Sequence, residues 1–325
     1  MTVHNFFQAA KIEGFQSPYD TIHLKIFYPA QMPSQVEINR EILPVDLEKA
    51  PFPVVIFFNG FNCDAQQYQW LAVKLAEHGL VVILFNWIAE VMPGIISLTP
   101  GIDVEKRKPT IYRTVPTASA LPAMLAKVEQ LQSEGILAGM LDLQRIILGG
   151  HSAGGRVAIE NADPDFFPQI AASFGYGLHT MATLSLGYEP GTILPLPDSL
   201  PLLLMGGTCD GIIANSSDRY GISPGNATTS VIRTFQEAIT GGRNDSYLLL
   251  LEGANHFSIN QPDSTLKPPL LDFPATQPQE SFRLLMGEII SLFIDTHVRH
   301  QPEASQSLEQ LLNTANPLIK SFERK

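Results

Sequence analysis

Five residues near the middle of the chain, Gly150-His151-Ser152-Ala153-Gly154, have the spacing of a nucleophile elbow, G-x-S-x-G. In such a turn a strand passes into a helix so sharply that the serine hydroxyl is pushed out of the sheet. A side chain two positions either side of the serine would collide with neighbouring backbone, hence the glycines. The chemistry implied is attack by the serine oxygen on an electrophilic carbon. Five residues alone are a weak pattern, but the setting here strengthens it. The apolar run 145–148 precedes the turn, and 156–162 reads as a short helix stopped near Pro164. The positive end of that helix would face the serine and favour a developing oxyanion.

A serine hydroxyl needs a base, and the base needs an acid. After an elbow of this kind they follow in the order Asp or Glu, then His. Of eight histidines, His4, His23 and His78 precede the serine. His151 adjoins Ser152, where side chains on a sharp elbow diverge, so it reads as a pocket wall. His297 and His300 lie at a helix end, where a cation suits terminal carbonyls. His179, after the run 171–174, is a second candidate. His256, in EGANHFS directly after the last buried run, has the position a base requires. Asp210, in GGTCDG directly after the run 202–205, is the expected acid, because it orients the imidazole and supports its charge. Asp218, further along a polar loop, is the alternative, and Asp198 falls at the wrong edge of its strand. The oxyanion donors expected are the amides of Ala153 and of Phe61, the latter in Asn59-Gly60-Phe61-Asn62 after the run 54–58. Gly60 would let that backbone approach closely.

These residues must be held by a sheet. Segment 21–28 alternates Ile22, Leu24, Ile26 and Tyr28 with polar or edge positions, the period of a strand. The runs 54–58, 81–85, 145–148, 171–174, 202–205 and 247–251 are nearly continuous in apolar residues, as in parallel strands covered on both faces. Helix signals lie between them. Segment 66–78 ends at Gly79, 116–134 ends at Gly135 with a late start at Pro122, and 279–299 carries a stripe of Phe282, Leu285, Met286, Ile289, Ile290 and Phe293. Alternating strands and helices predict an α/β class with a mostly parallel, doubly wound sheet flanked by helices. Active sites in such sheets lie at the carboxyl ends of the strands. Two long excursions, 88–113 and 176–200, leave that edge like lids. The first, with Met92, Ile95 and Ile96, is expected to line an apolar substrate pocket, together with His151. Packing between the excursions, or a dimer contact, would use the same residues.

One domain, 1–325, is expected, with an accessory packing or interaction helix in 301–325. The chain is 45% hydrophobic and 16% charged, enough apolar residue for a large core. A net charge of -11, with Lys106-Arg107-Lys108 the longest basic run, disfavours nucleic acid and anionic membrane as partners. The start, MTVHNFFQAAKIEGF, has no basic and apolar pattern of a secretory signal. The stretch 80–98 is interrupted by Asn86, Glu90, Pro93 and Gly94, so no integral membrane span is expected. Cys63 and Cys209, with no paired C-x-x-C, read as free thiols in a reducing, cytoplasmic setting and exclude a thiolate zinc site. No metal and no cofactor is expected.

PVVIFFNGFN, the G-H-S-x-G-G elbow, the GTCD acid loop and the GANHF histidine loop together resemble the chlorophyllase and dienelactone-hydrolase-like branch of the α/β hydrolases. Platelet-activating-factor acetylhydrolases and bacterial cutinases belong to the same branch. The resemblance spans roughly residues 20–295. It implies the α/β-hydrolase fold and cleavage of a small-molecule carboxylic ester through an acyl-enzyme by Ser152, His256 and Asp210. Asn59 stands where many relatives carry histidine, and Ala153 where plant chlorophyllases carry arginine, so chlorophyllase activity in particular is an alternative. Acyl transfer or peptide cleavage would use the same three residues. A non-catalytic binding protein on this fold would usually lack one of them.

Overall fold

The computed structural model describes residues 2–32, 42–223, 225–261 and 271–325. In chain order the strands and helices are β1 (Thr2–Lys11), β2 (Thr21–Ala30), β3 (Phe52–Phe58), α1 (Gln69–Glu77), β4 (Val81–Met92), β5 (Ile95–Leu98), α2 (Leu121–Ser133), β6 (Leu141–His151), α3 (Ser152–Glu160), β7 (Ile170–Tyr176), β8 (Leu202–Gly207), α4 (Gly211–Ala214), α5 (Thr229–Ala238), β9 (Ser246–Leu251), α6 (Gln279–His297), α7 (Pro302–Asn313) and β10 (Ile319–Arg324). The ten strands form a mixed sheet in the order β1-β2-β4-β3-β6-β7-β8-β9-β10, with β5 paired to β4. From β4 through β3, β6, β7 and β8 to β9 every neighbour is parallel. The outer pairs β1–β2, β2–β4 and β9–β10 are antiparallel.

The central strands are apolar on both faces because both faces are covered. Along β3, Val55 and Phe57 join one core with Leu71 and Leu75 of α1 and the stripe of α6. Val54, Ile56 and Phe58 point the other way, into a core with Met124 and Val128 of α2 and Val157 and Ala158 of α3. Beyond β7 that second face continues over Leu202, Leu204, Leu248 and Leu250, beneath Val231 and Phe235 of α5. This is the two-residue period of a strand expressed as two cores. Phe282 and Phe293 of α6 are fully buried, and truncating either to alanine is expected to cost about 3–5 kcal/mol.

The six apolar runs all lie inside strands, and α2 begins at Leu121, as its proline suggested. Three parts differ from expectation. The helix after the elbow starts at Ser152 itself, so the serine is its first residue. The tail holds both a helix, α7, with Leu308 and Leu312 buried against the α6 face, and a strand, β10, that closes the far edge of the sheet on β9. The first excursion is built on the sheet: β4 runs on past Phe85 to Met92, turns at Gly94 (φ 75°) and returns as β5. Among the described residues no helix is long and apolar enough to cross a membrane.

Candidate active site

Strand β6 delivers the chain to Ser152 with a φ of 54°, left-handed backbone that a non-glycine residue adopts only under constraint. The constraint is visible on both sides. A Cβ on Gly150 would stand 2.6 Å from the backbone of Gly154 and Gly155, and one on Gly154 would overlap the carbonyl oxygens of Phe58 and Asn59. The elbow is therefore wedged against the end of β3, which brings the Asn59–Asn62 loop beside the serine.

The Nε2 of His256 lies 2.9 Å from Ser152 Oγ, and its Nδ1 lies 2.8 Å from Asp210 Oδ2. His256 and Asp210 are nearly inaccessible, at 2% and 1% exposure. With a carboxylate at Nδ1, the proton belongs on Nδ1, and Nε2 is left to accept from the serine hydroxyl. The second oxygen of Asp210 accepts the Ile213 amide at 2.9 Å, capping α4. One carboxylate thus begins a helix and orients the imidazole.

The loop after β3 is held through hydrogen bonds at each residue, with Phe61 held only at its carbonyl, which accepts the Cys63 thiol at 3.6 Å. Asn59 Nδ2 donates to the Phe85 carbonyl at 2.7 Å, the Gly60 amide donates to Tyr68 Oη at 3.1 Å, and the Asn62 amide donates to the Leu98 carbonyl at 2.9 Å. Among the described residues the Phe61 amide has no acceptor, and neither has the Ala153 amide in the first turn of α3.

His151 is not a pocket wall. Its ring has no exposed surface and lies behind the site, with Nδ1 2.8 Å from Tyr68 Oη and Nε2 2.9 Å from the His256 carbonyl. Burial, together with the neighbouring His256, holds its imidazole well below the usual range, so it is neutral. The Nε2–H donates to the carbonyl, and Nδ1 accepts from the tyrosine. His179 does not reach the serine: its Nδ1 accepts the Met181 amide at 3.1 Å, and its ring meets Tyr220 edge-on. Burial, then the charges of Arg156, His256 and Arg107, push it down to about 3. Asp198 caps the Thr240 amide at 2.6 Å.

The β4–β5 hairpin stands over the Asn59–Asn62 loop. Besides the Asn62–Leu98 bond, Ser97 Oγ donates to Asn62 Oδ1 at 3.1 Å. Ile95 and Ile96 are about half exposed on it, at 48% and 58%; Met92 ends β4, and its side chain lies outside the described residues. The second excursion turns much of its apolar content inward, with Met181, Leu194 and Leu196 buried. The two excursions are fastened together and to α3. Tyr188 Oη donates to the Arg107 carbonyl at 2.8 Å and Tyr112 Oη to that of Pro195 at 2.9 Å. Buried Glu160 at the end of α3 accepts Arg107 Nε at 2.8 Å and Arg156 Nε at 2.7 Å, and Arg156 reaches on to the Met181 carbonyl at 2.7 Å. Burial works against the Glu160 charge, but the two guanidiniums outweigh it and hold the carboxyl below its usual range.

Tyr68, Glu160, Arg107 and Asp272 were not legible as site residues. Only the four-residue spacing of Arg156 and Glu160 on one helix hinted at a pair. Both cysteines are free thiols. Among the described residues no group of three or more His, Cys, Asp or Glu side chains could hold a metal ion. A scan against protein-family models found no match for this chain, and a search among curated proteins found no significantly similar sequence.

Proposed function

We propose that this chain is a serine hydrolase of the α/β-hydrolase fold, cleaving carboxylic esters with an apolar acyl or alcohol group. The observation that carries the reading is the continuous line Ser152 Oγ–His256 Nε2, His256 Nδ1–Asp210 Oδ2, built on a serine with positive φ at the mouth of a helix. The fold assignment is supported by where the three residues leave the sheet. Serine follows β6, aspartate follows β8 and histidine follows β9, all at carboxyl ends of parallel strands and in the chain order of such enzymes.

The chemistry follows from the line. His256 Nε2 takes the hydroxyl proton as Ser152 Oγ bonds to the ester carbon, and the carbonyl electron pair moves onto oxygen. The Ala153 and Phe61 amides donate to that oxyanion, helped by the α3 dipole. Collapse breaks the carbon–oxygen bond to the alcohol, which leaves with the proton from Nε2. Water then gives a proton to Nε2 and its oxygen to the acyl carbon. The second collapse restores the Ser152 hydroxyl and releases the carboxylic acid. Asp210 holds the tautomer and supports the imidazolium throughout. The hairpin with Ile95 and Ile96 adjoins the oxyanion loop, where an apolar group of the ester would lie.

The test is labelling with a fluorophosphonate probe together with turnover of a panel of esters, lactones, amides and chlorophyll. Labelling of wild type at Ser152, abolished in Ser152→Ala, is the expected result. A folded wild type that neither labels nor hydrolyses any ester overturns the reading.

A further inference from the structure

A second carboxylate lies beside the Ser152–His256–Asp210 line and has no part in the steps above. The Oδ1 of Asp272 accepts three backbone amides: Gly211 at 2.8 Å, Phe273 at 3.0 Å and His256 at 3.3 Å. Gly211 follows the acid Asp210, so a single oxygen holds the acid loop and the base loop at once. The residues flanking Asp272 repeat the connection. Asn215 Nδ2 of the acid loop donates to the Leu271 carbonyl at 2.9 Å, and Asn255 Nδ2 of the base loop donates to the Phe273 carbonyl at 2.8 Å. The fit is close, since a Cβ on Gly211 would stand 2.6 Å from the Leu271 carbonyl oxygen. The other carboxylate oxygen, Oδ2, is buried and has no hydrogen-bond partner among the described residues. An asparagine carbonyl would accept the same amides with no charge to desolvate. What a carboxylate adds is negative charge near an imidazole that turns positive twice in each turnover.

We propose that Asp272 is a positioning residue of this site: it clamps the acid loop to the base loop, and its charge favours the imidazolium that forms on His256. The inference rests on the serine-hydrolase reading. Among the described residues, the titratable groups facing Asp272 are Asp210 on the acid loop, His256 on the base loop and Tyr176 at the end of β7. Burial raises the Asp272 carboxyl above its usual range; the Gly211 amide opposes this, Asp210 adds to it and His256 opposes it. A carboxyl raised in the folded state favours folding in its protonated form. Its ionisation therefore withdraws stability as pH rises from about 4, the unfolded value, through the folded one.

The experiment compares wild type with Asp272→Asn, Asp272→Ala and Ser152→Ala, by steady-state kinetics on a short ester and by thermal melting from pH 4 to pH 8. Asp272→Asn keeps an amide acceptor and loses the charge. Its kcat is expected to fall about tenfold, the factor for ~1.4 kcal/mol of transition-state stabilisation. KM should stay within about twofold, because Asp272 does not touch substrate. Asp272→Ala, which also loses the clamp, should fall further. The melting temperature of Asp272→Asn, measured against wild type, should move in the variant's favour as pH rises, so activity is lost where stability is not. A purely structural carboxylate would show no such split. Wild-type kcat in Asp272→Asn, or a kcat that falls only in step with the folded fraction, overturns the proposal while wild-type turnover leaves the parent reading standing. If Asp272→Ala does not fold, Asp272→Asn decides alone. A wild type no more active than Ser152→Ala overturns both.

Discussion

The ring of His151, the residue before Ser152, donates from Nε2 to the backbone carbonyl of His256 at 2.9 Å. Its other nitrogen accepts from Tyr68, whose oxygen accepts the Gly60 amide at 3.1 Å. The loop offering the Phe61 amide, the elbow and the base loop are thereby joined through one buried, neutral line.

Breaking that line should cost stability and activity together. Tyr68→Phe leaves the Gly60 amide and His151 Nδ1 without their partner in a buried place, at about 1–3 kcal/mol for each stranded group. Urea unfolding should show the loss. The kcat on a short ester should also drop, because both the Asn59–Asn62 loop and the His256 loop lose a support. Unchanged unfolding and kcat in Tyr68→Phe would show that the line supports neither loop.

Ser152→Ala should lower kcat by roughly 10⁶, and His256→Ala by a similar amount, since the two act as one unit. Asp210→Asn should cost roughly 10⁴ through the wrong imidazole tautomer. Asp218→Asn should be close to wild type. A crippled Asp218→Asn beside a healthy Asp210→Asn would reverse the choice of acid.

Glu160 gives a pH signature. Its carboxyl is held low in the folded protein, so its charge adds stability above the unfolded value of about 4.3, and that stability is lost as pH falls through the folded one. Glu160→Gln should therefore melt well below wild type at neutral pH, with the gap narrowing in acid. A gap that is constant from neutral pH to about pH 3 would mean that the Arg107–Glu160–Arg156 cluster does not stabilise through charge.

The residues of the Ser152–His256–Asp210 line were legible because each follows an apolar run directly, and a buried parallel strand writes its end into the sequence. The edge strands were not. β10, Ile319–Arg324, has only half-buried and exposed residues and pairs on one side only, so few of its positions need be apolar. Asp272 and Tyr68 were hidden for a different reason. Their partners are mostly backbone amides and a ring brought together by tertiary packing, and no local pattern records that. His151 was placed on the wrong side of the site because the elbow's divergence from Ser152 says that the ring points away without saying into what.

The hairpin carrying Ile95 and Ile96 is bonded to Asn62 through Ser97 and Leu98. If it forms the wall for the acyl chain, apolar esters should be preferred to charged ones of equal length. A fully buried methylene contributes about 0.8 kcal/mol, and half-exposed side chains such as these should recover roughly half of that, about twofold in kcat/KM per added carbon until the wall is covered. Ile96→Asp places a charge on that surface and should flatten the chain-length profile while leaving hydrolysis of an acetyl ester largely intact. The contrast separates a wall defect from a folding defect, which would depress short and long esters alike. The measurement is kcat/KM for acetyl through octanoyl p-nitrophenyl esters, with thermal melting of both proteins as the folding control. A wild-type profile that does not rise with chain length, or an Ile96→Asp profile of the same shape as wild type, removes the hairpin from the acyl site.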